Sequence, residues 1–207
     1  MRRTEAESGN RIHPRVPRGW SRHLAYVISQ IGSPPVLTLA VLALTASTTP
    51  HPNAWIWAGT YAILAILTPM VYLIWLMSQG RVTDLDVQLR QERARPMLFT
   101  LASGGVGVMV MALGMAPSEL LILSGGLWLQ SLIIFAITLR WKISVHSATA
   151  TGAAAMIWFL TGALLPLVVG VPIIAWSRVR LRRHTVAQTI AGALVSLLVF
   201  VAAFLIC

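Results

Sequence analysis

Residues 144–176 read SVHSATATGAAAMIWFLTGALLPLVVGVPIIAW, with no Lys, Arg, Asp or Glu among them. A membrane-spanning helix needs about 20 predominantly apolar residues, so this stretch is too long for one straight span. Its pattern breaks at Thr161-Gly162, and Pro166 and Pro172 follow. The break predicts a tight hairpin of two helices, at about 144–160 and 163–177. Other apolar runs lie at about 24–46, 54–77, 97–116, 119–139 and 185–206, which brings the expected count to seven.

The composition demands lipid as solvent. Of 207 residues, 57% are hydrophobic and 11% are charged, against roughly 25% charged in a soluble domain. The expected fold class is therefore all-α: a polytopic membrane helix bundle of about seven transmembrane helices. Residues 1–23 form a basic tail and residues 24–207 the transmembrane helical domain. The first apolar run exceeds the 7–15 residues typical of a cleavable signal core, and is expected to remain as a span. Pro34-Pro35 and Pro69 are expected to kink their helices. Gly104, Gly105, Gly107, Gly125 and Gly126 are expected to let helices pack closely, and Met109, Met111 and Met115 are read as packing residues. Cys207 is the lone cysteine, which excludes an internal disulfide or a cysteine-based metal site.

The formal net charge of +10 comes from sixteen basic residues in four groups. Six arginines lie in the tail, the last at Arg22. Arg81, Arg90, Arg93 and Arg95 follow the second run, Arg140 and Lys142 the fourth, and Arg178, Arg180, Arg182 and Arg183 the sixth. Seven spans put all four groups on one side. The opposite connections, Ser47–Asn53, Ala116–Ser118 and the Gly162 turn, hold none. The positive-inside rule makes the basic side cytoplasmic, so the C-terminus is expected outside the cell membrane. Trp20, Trp55, Trp75, Trp141 and Trp176 sit near the expected span ends, as an interfacial belt requires. Short basic clusters between apolar runs do not make a nucleic-acid surface. They fit membrane lipids or a lipid phosphate as partner.

Three connections on the basic side carry the candidate chemistry. Of five histidines, His13, His23 and His51 fall in the tail or an outer loop, whereas His146 and His184 open expected spans. His184 and Gln188 are four residues apart and share a helix face. A glutamine there can accept the His184 Nδ1 proton and leave Nε2 as nucleophile or base. The surrounding arginines suit phosphate, which planar guanidinium groups bind bidentately.

At these residues the chain resembles the type 2 phosphatidic acid phosphatase superfamily. That family carries Lys-x6-Arg-Pro, then Pro-Ser-Gly-His, then Ser-Arg-x5-His-x3-Asp. Arg95-Pro96 match the end of the first motif, Ser144 and His146 two positions of the second, and Ser177-Arg178 with His184 most of the third. The departures are Gln88 for Lys, Ile143 for Pro, Val145 for Gly and Gln188 for Asp. The resemblance covers roughly residues 84–192. It implies hydrolysis of a lipid phosphate or polyprenyl (di)phosphate through a phosphohistidine, without a metal or other cofactor. His184 would be the nucleophile oriented by Gln188, and His146 the proton donor. Arg95, Arg178 and Ser144 would hold phosphate oxygens, with Arg90 or Lys142 replacing the missing Lys.

Two other readings belong beside it. The neutral Gln188 suits a catalytically attenuated lipid-binding member. Asp84 and Asp86 suggest a Mg²⁺-diphosphate site of an intramembrane prenyltransferase, although no second Asp-rich segment exists.

Overall fold

The computed structural model of the protein describes residues 19–83 and 90–206; the side chains of Arg90, Gln91 and Arg93 also lie outside the described set. The tail arginines up to Arg18, His13, Asp84, Asp86, Gln88 and Cys207 are therefore not described. The described chain is all-helical. We number its helices α1 (Trp20–Ile31), α2 (Pro34–Thr48), α3 (Ala54–Ser78), α4 (Arg90–Leu113), α5 (Ser118–Thr138), α6 (Val145–Thr161), α7 (166–180) and α8 (Val186–Ile206).

Four stretches are long and apolar enough to cross a bilayer: α3, Ala94–Leu113 of α4, α5 and α8. The pair α1–α2, bent by 49°, makes a fifth if taken as one broken span. All seven expected runs are thus helical, but by length and composition four or five qualify as spans. The other two, α6 and α7, are short. At a rise of 1.5 Å per residue, the 17 residues of α6 extend roughly 26 Å, less than the hydrocarbon core of about 30 Å.

Proline accounts for the breaks. Gly32 and Ser33 separate α1 from α2, where Pro34 and Pro35 occupy the first helical positions and need no N–H partner. Inside α3, Pro69 has no N–H to donate, and the helix widens into a π-turn over Ile63–Leu67, with Thr68 N–H reaching back to the Ile63 carbonyl. The same device recurs in α7. There Pro172 follows a π-turn over Pro166–Gly170, and Val171 N–H bonds to the Pro166 carbonyl.

Helix α1 is amphipathic with its apolar side outward. Trp20, Leu24, Tyr26, Val27 and Ile31 are exposed, whereas Ala25 and Ser29 are buried against the protein. Such a helix is stable only where hydrocarbon or an interface covers it. The exposed rings of Trp55, Trp75, Trp141 and Trp176 point the same way. The helix begins at Trp20, four residues before the apolar run expected at about 24–46, because the polar Ser21, Arg22 and His23 escape an apolar-run criterion.

The centre of the bundle is α6, whose residues from His146 to Met156 are all buried. Ala, Ser, Thr and Gly dominate this run, so neighbouring helices approach closely. Its tightest neighbour is α8. An ideal Cβ on Gly192 would overlap the Ser144 carbonyl oxygen, and one on Gly152 would press on Phe200. Of the glycines expected to serve packing, Gly104 and Gly105 receive Trp128, Gly107 receives Tyr61 and Gly126 receives Phe200. Gly125 faces open space, and Met109 and Met115 are exposed where Met111 is buried. Those two methionines and Gly125 lie on outward faces, which a linear reading cannot separate from inward ones.

Gly192→Ala should lower unfolding stability in detergent by about 1–3 kcal/mol, the usual cost of overpacking, with Gly125→Ala near neutral. Equal effects of the two substitutions in a thermal melt would contradict this packing.

Candidate functional site

The segment from Arg178 to Gln188 is fixed by two local devices in series. First, α7 ends in a Schellman motif: Arg182 N–H bonds to the Val179 carbonyl at 2.9 Å and Arg183 N–H to the Arg178 carbonyl at 3.0 Å. Arg182 takes the left-handed conformation this motif requires, with φ 57°. Second, α8 begins with a capping box. Gln188 N–H donates to Thr185 Oγ1 at 3.3 Å, and Thr185 N–H donates to Gln188 Oε1 at 3.1 Å. One chain reversal therefore places His184 between the end of α7 and the start of α8, with its own N–H directed at the Arg178 carbonyl.

The capping box also determines the chemistry of His184. Its Nδ1 lies 3.2 Å from the same Gln188 Oε1. A backbone N–H can only donate, so the Gln188 atom facing Thr185 must be the amide oxygen. That oxygen has no proton to give, so the Nδ1 beside it carries one. Neutral His184 is then the Nδ1–H tautomer, and Nε2 bears the lone pair.

The second connection joins this corner directly. Ser144 N–H donates to the Gln188 carbonyl at 3.1 Å, across the contact that Gly192 allows. Ser144 caps α6: its Oγ accepts from Ser147 N–H at 3.3 Å and from Ser147 Oγ at 3.1 Å. Its own hydroxyl proton is left to donate elsewhere. His146, on the first turn of α6, is 7% exposed; His184 is 8% exposed and Arg178 3%. Arg178 is held from the side by α1, with Nη1 donating to Ser29 Oγ at 2.6 Å. Two residues further along α7, Arg180 Nη2 donates to Ser21 Oγ at 2.7 Å. Ser29 and Ser21 of α1 thus receive one buried and one exposed guanidinium group.

His184, Gln188, Ser144, His146 and Arg178 are thus gathered at one end of the bundle, where α6, α7 and α8 meet. Lys142 is half-buried in the α5–α6 connection. Arg95 is exposed on α4 and makes no hydrogen bond or ion pair among the described residues, and the side chain of Arg90 is outside them. Glu92 ties the start of α4 to the preceding connection by accepting from Thr83 N–H and Oγ1 at 2.9 and 3.0 Å. No group of three or more His, Cys, Asp or Glu able to hold a metal occurs among the described residues.

Sequence reasoning missed Ser29, Thr185 and Gly192. Thr185-x-x-Gln188 is a capping-box signature that was available. Ser29 could have been found from the amphipathic spacing of α1. Nothing in a linear reading marks Gly192. The chain matches no family model, no curated protein and no solved structure.

Because Arg182 is a non-glycine residue in a left-handed position, Arg182→Gly should raise stability by roughly 1 kcal/mol. Arg182→Val should lower it by a comparable amount. Thermal unfolding of the two variants in detergent checks both signs, and a stabilised Val variant would refute the motif.

Proposed function

We propose that the protein is an integral-membrane phosphatase acting on a lipid phosphate or polyprenyl (di)phosphate. The observation that carries this reading is the Nδ1–H of His184 on Gln188 Oε1, which puts the lone pair at Nε2 of a buried imidazole whose backbone N–H meets the Arg178 carbonyl. Nε2 attacks phosphorus, the P–O bond to the lipid breaks, and His146 gives its proton to the departing oxygen. Water then attacks the phosphohistidine, the P–N bond breaks, and His146 recovers a proton. Arg178 and the Ser144 hydroxyl oppose the charge that develops on the non-bridging oxygens, with Arg95, Arg90 and Lys142 as further cations at that end. The motif resemblance at Arg95-Pro96, Ser144, His146, Ser177-Arg178 and His184 supports the same assignment.

Phosphate release should vanish in His184→Ala and fall about 10²–10⁴-fold in His146→Ala, the usual range for a general acid. The assay is run on purified protein with and without EDTA. Release that persists in His184→Ala would refute the mechanism, and loss with EDTA would favour the Mg²⁺-dependent prenyltransferase reading. The attenuated alternative rests on the neutral Gln188 where the resembling family carries Asp. A large gain in turnover from Gln188→Asp would support that alternative.

The same reading places α6 and α7 as a short transmembrane hairpin turning at Gly162. The chain then has seven spans in the cell membrane, with its N-terminus and basic connections cytoplasmic and its C-terminus outside. The grouping of all sixteen basic residues supports it. In a Cys207→Ser background, single cysteines at positions 93 and 180 should label from the same face. Labelling from opposite faces would overturn this topology.

A further inference from the structure

A cavity of about 220 Å³ lies in the apolar interior between α2, α3, α4 and α5, and Val145 at the start of α6 also lines it. Its wall at the site end includes Pro96, next to Arg95, and Val145, which lies between Ser144 and His146. Its deeper wall includes Ala65, Tyr61 and Gln130. The polar groups around it are turned into the protein. Tyr61 Oη donates to the Ser124 carbonyl at 3.0 Å, Trp128 Nε1 to the Leu101 carbonyl at 2.9 Å, Thr100 Oγ1 to the Pro96 carbonyl at 2.9 Å and Ser131 Oγ to the Leu127 carbonyl at 2.7 Å. Gln130, 2% exposed, accepts from Ser196 Oγ. These bonds leave a wall that offers water few partners and offers a hydrocarbon chain dispersion contact.

The geometry points to this cavity as the receptacle for the first part of a single apolar chain attached to the phosphate held at His184 and Arg178. The assignment rests on the phosphatase reading for its headgroup, and on the cavity alone for its chain. Volume decides between one chain and two. A cavity of about 150 Å³ takes one benzene, so 220 Å³ takes about nine carbon atoms. One prenyl or acyl chain fills that space with the segment nearest its phosphate. Two chains side by side, as in a diacyl lipid, exceed it. The substrate class is therefore a single-chain lipid phosphate, prenyl or monoacyl, in preference to a diacyl one.

The test uses full-length protein in nanodiscs and four probes: farnesyl phosphate, monooleoyl lysophosphatidate, dioleoyl phosphatidate and p-nitrophenyl phosphate. A single-chain phosphate brominated near its headgroup should quench tryptophan fluorescence in the unmodified protein, and quench it less in Trp128→Phe. Dioleoyl phosphatidate should not reverse the quenching. Ala65→Phe, which fills the cavity, should lower kcat/KM for the two single-chain substrates by about tenfold or more, as apolar-pocket discrimination allows, and leave p-nitrophenyl phosphate unchanged. Thr38→Leu on the facing wall provides a second filling variant should Ala65→Phe not fold. The ratio of farnesyl to monooleoyl turnover then says which chain type fits better. Quenching through Trp128 without any phosphate release would overturn the phosphatase reading and leave the receptacle standing. Phosphate release that ignores chain number and both filling variants, with no Trp128-dependent quenching, would overturn the receptacle and leave the phosphatase reading standing.

Discussion

The arrangement at the polar end of the bundle depends on how closely α6 and α8 approach. Ser144 N–H reaches the Gln188 carbonyl only because Gly192 carries no side chain one turn further along α8. The hydrogen bond satisfies a donor that would otherwise be stranded at the start of a buried helix. In a low-dielectric setting such a stranded group is costly. The same contact sets the register of two helices, and with it the relative height of His146 and His184. Small residues along α6 extend the close approach into the interior of the bundle, where Gly152 accommodates Phe200. Lipid provides little hydrophobic drive between helices, so packing of this kind takes over that role.

Around that contact, local devices do the positioning. The Schellman turn at Arg182 and the capping box at Thr185 are backbone solutions to helix ends, and each would exist in a protein without chemistry. Their combination turns the chain so that Arg178, His184 and Gln188 emerge at one corner. Helix α1 then closes that corner from the side, with Ser29 on the buried Arg178 and Ser21 on the exposed Arg180. A buried guanidinium is expensive without partners. Ser29 of α1 offsets part of that cost and restricts where Arg178 can point.

Much of this was legible in the chain before any coordinates. Long apolar runs carry a strong signal because the bilayer fixes their length, and all seven runs are helical. Span number was less legible. A 17-residue helix such as α6 and a proline-interrupted one such as α7 lie at the margin of the length rule, where packing rather than hydropathy determines placement. The pairing of His184 with Gln188 was read from helical periodicity, but His184 precedes the helix, and the turn and the Thr185 cap bring the two together. The contact between Ser144 and Gln188 spans more than forty residues and depends on a glycine, so no local rule reaches it. Facing was equally hidden: in α5, Gly125 and Gly126 are neighbours, yet only Gly126 meets another helix.

The glutamine at position 188 can be judged by what an amide normally does to such a site. When an amide replaces the carboxylate behind a catalytic histidine in serine proteases, turnover falls about 10⁴-fold, because the ring is held in the wrong tautomer. That penalty requires the amide to present its NH₂ to the ring. Here Thr185 N–H engages Gln188 Oε1 and keeps the oxygen toward Nδ1. The tautomer is therefore preserved, and what is lost is charge. A hydrogen bond to an ionised partner contributes roughly 1.5–3 kcal/mol against about 1 kcal/mol for a neutral one. Under the proposed phosphatase mechanism the deficit is then on the order of one decade in rate, far short of abolition. A capping box that looks purely structural thus lets a neutral residue stand where a carboxylate would be expected.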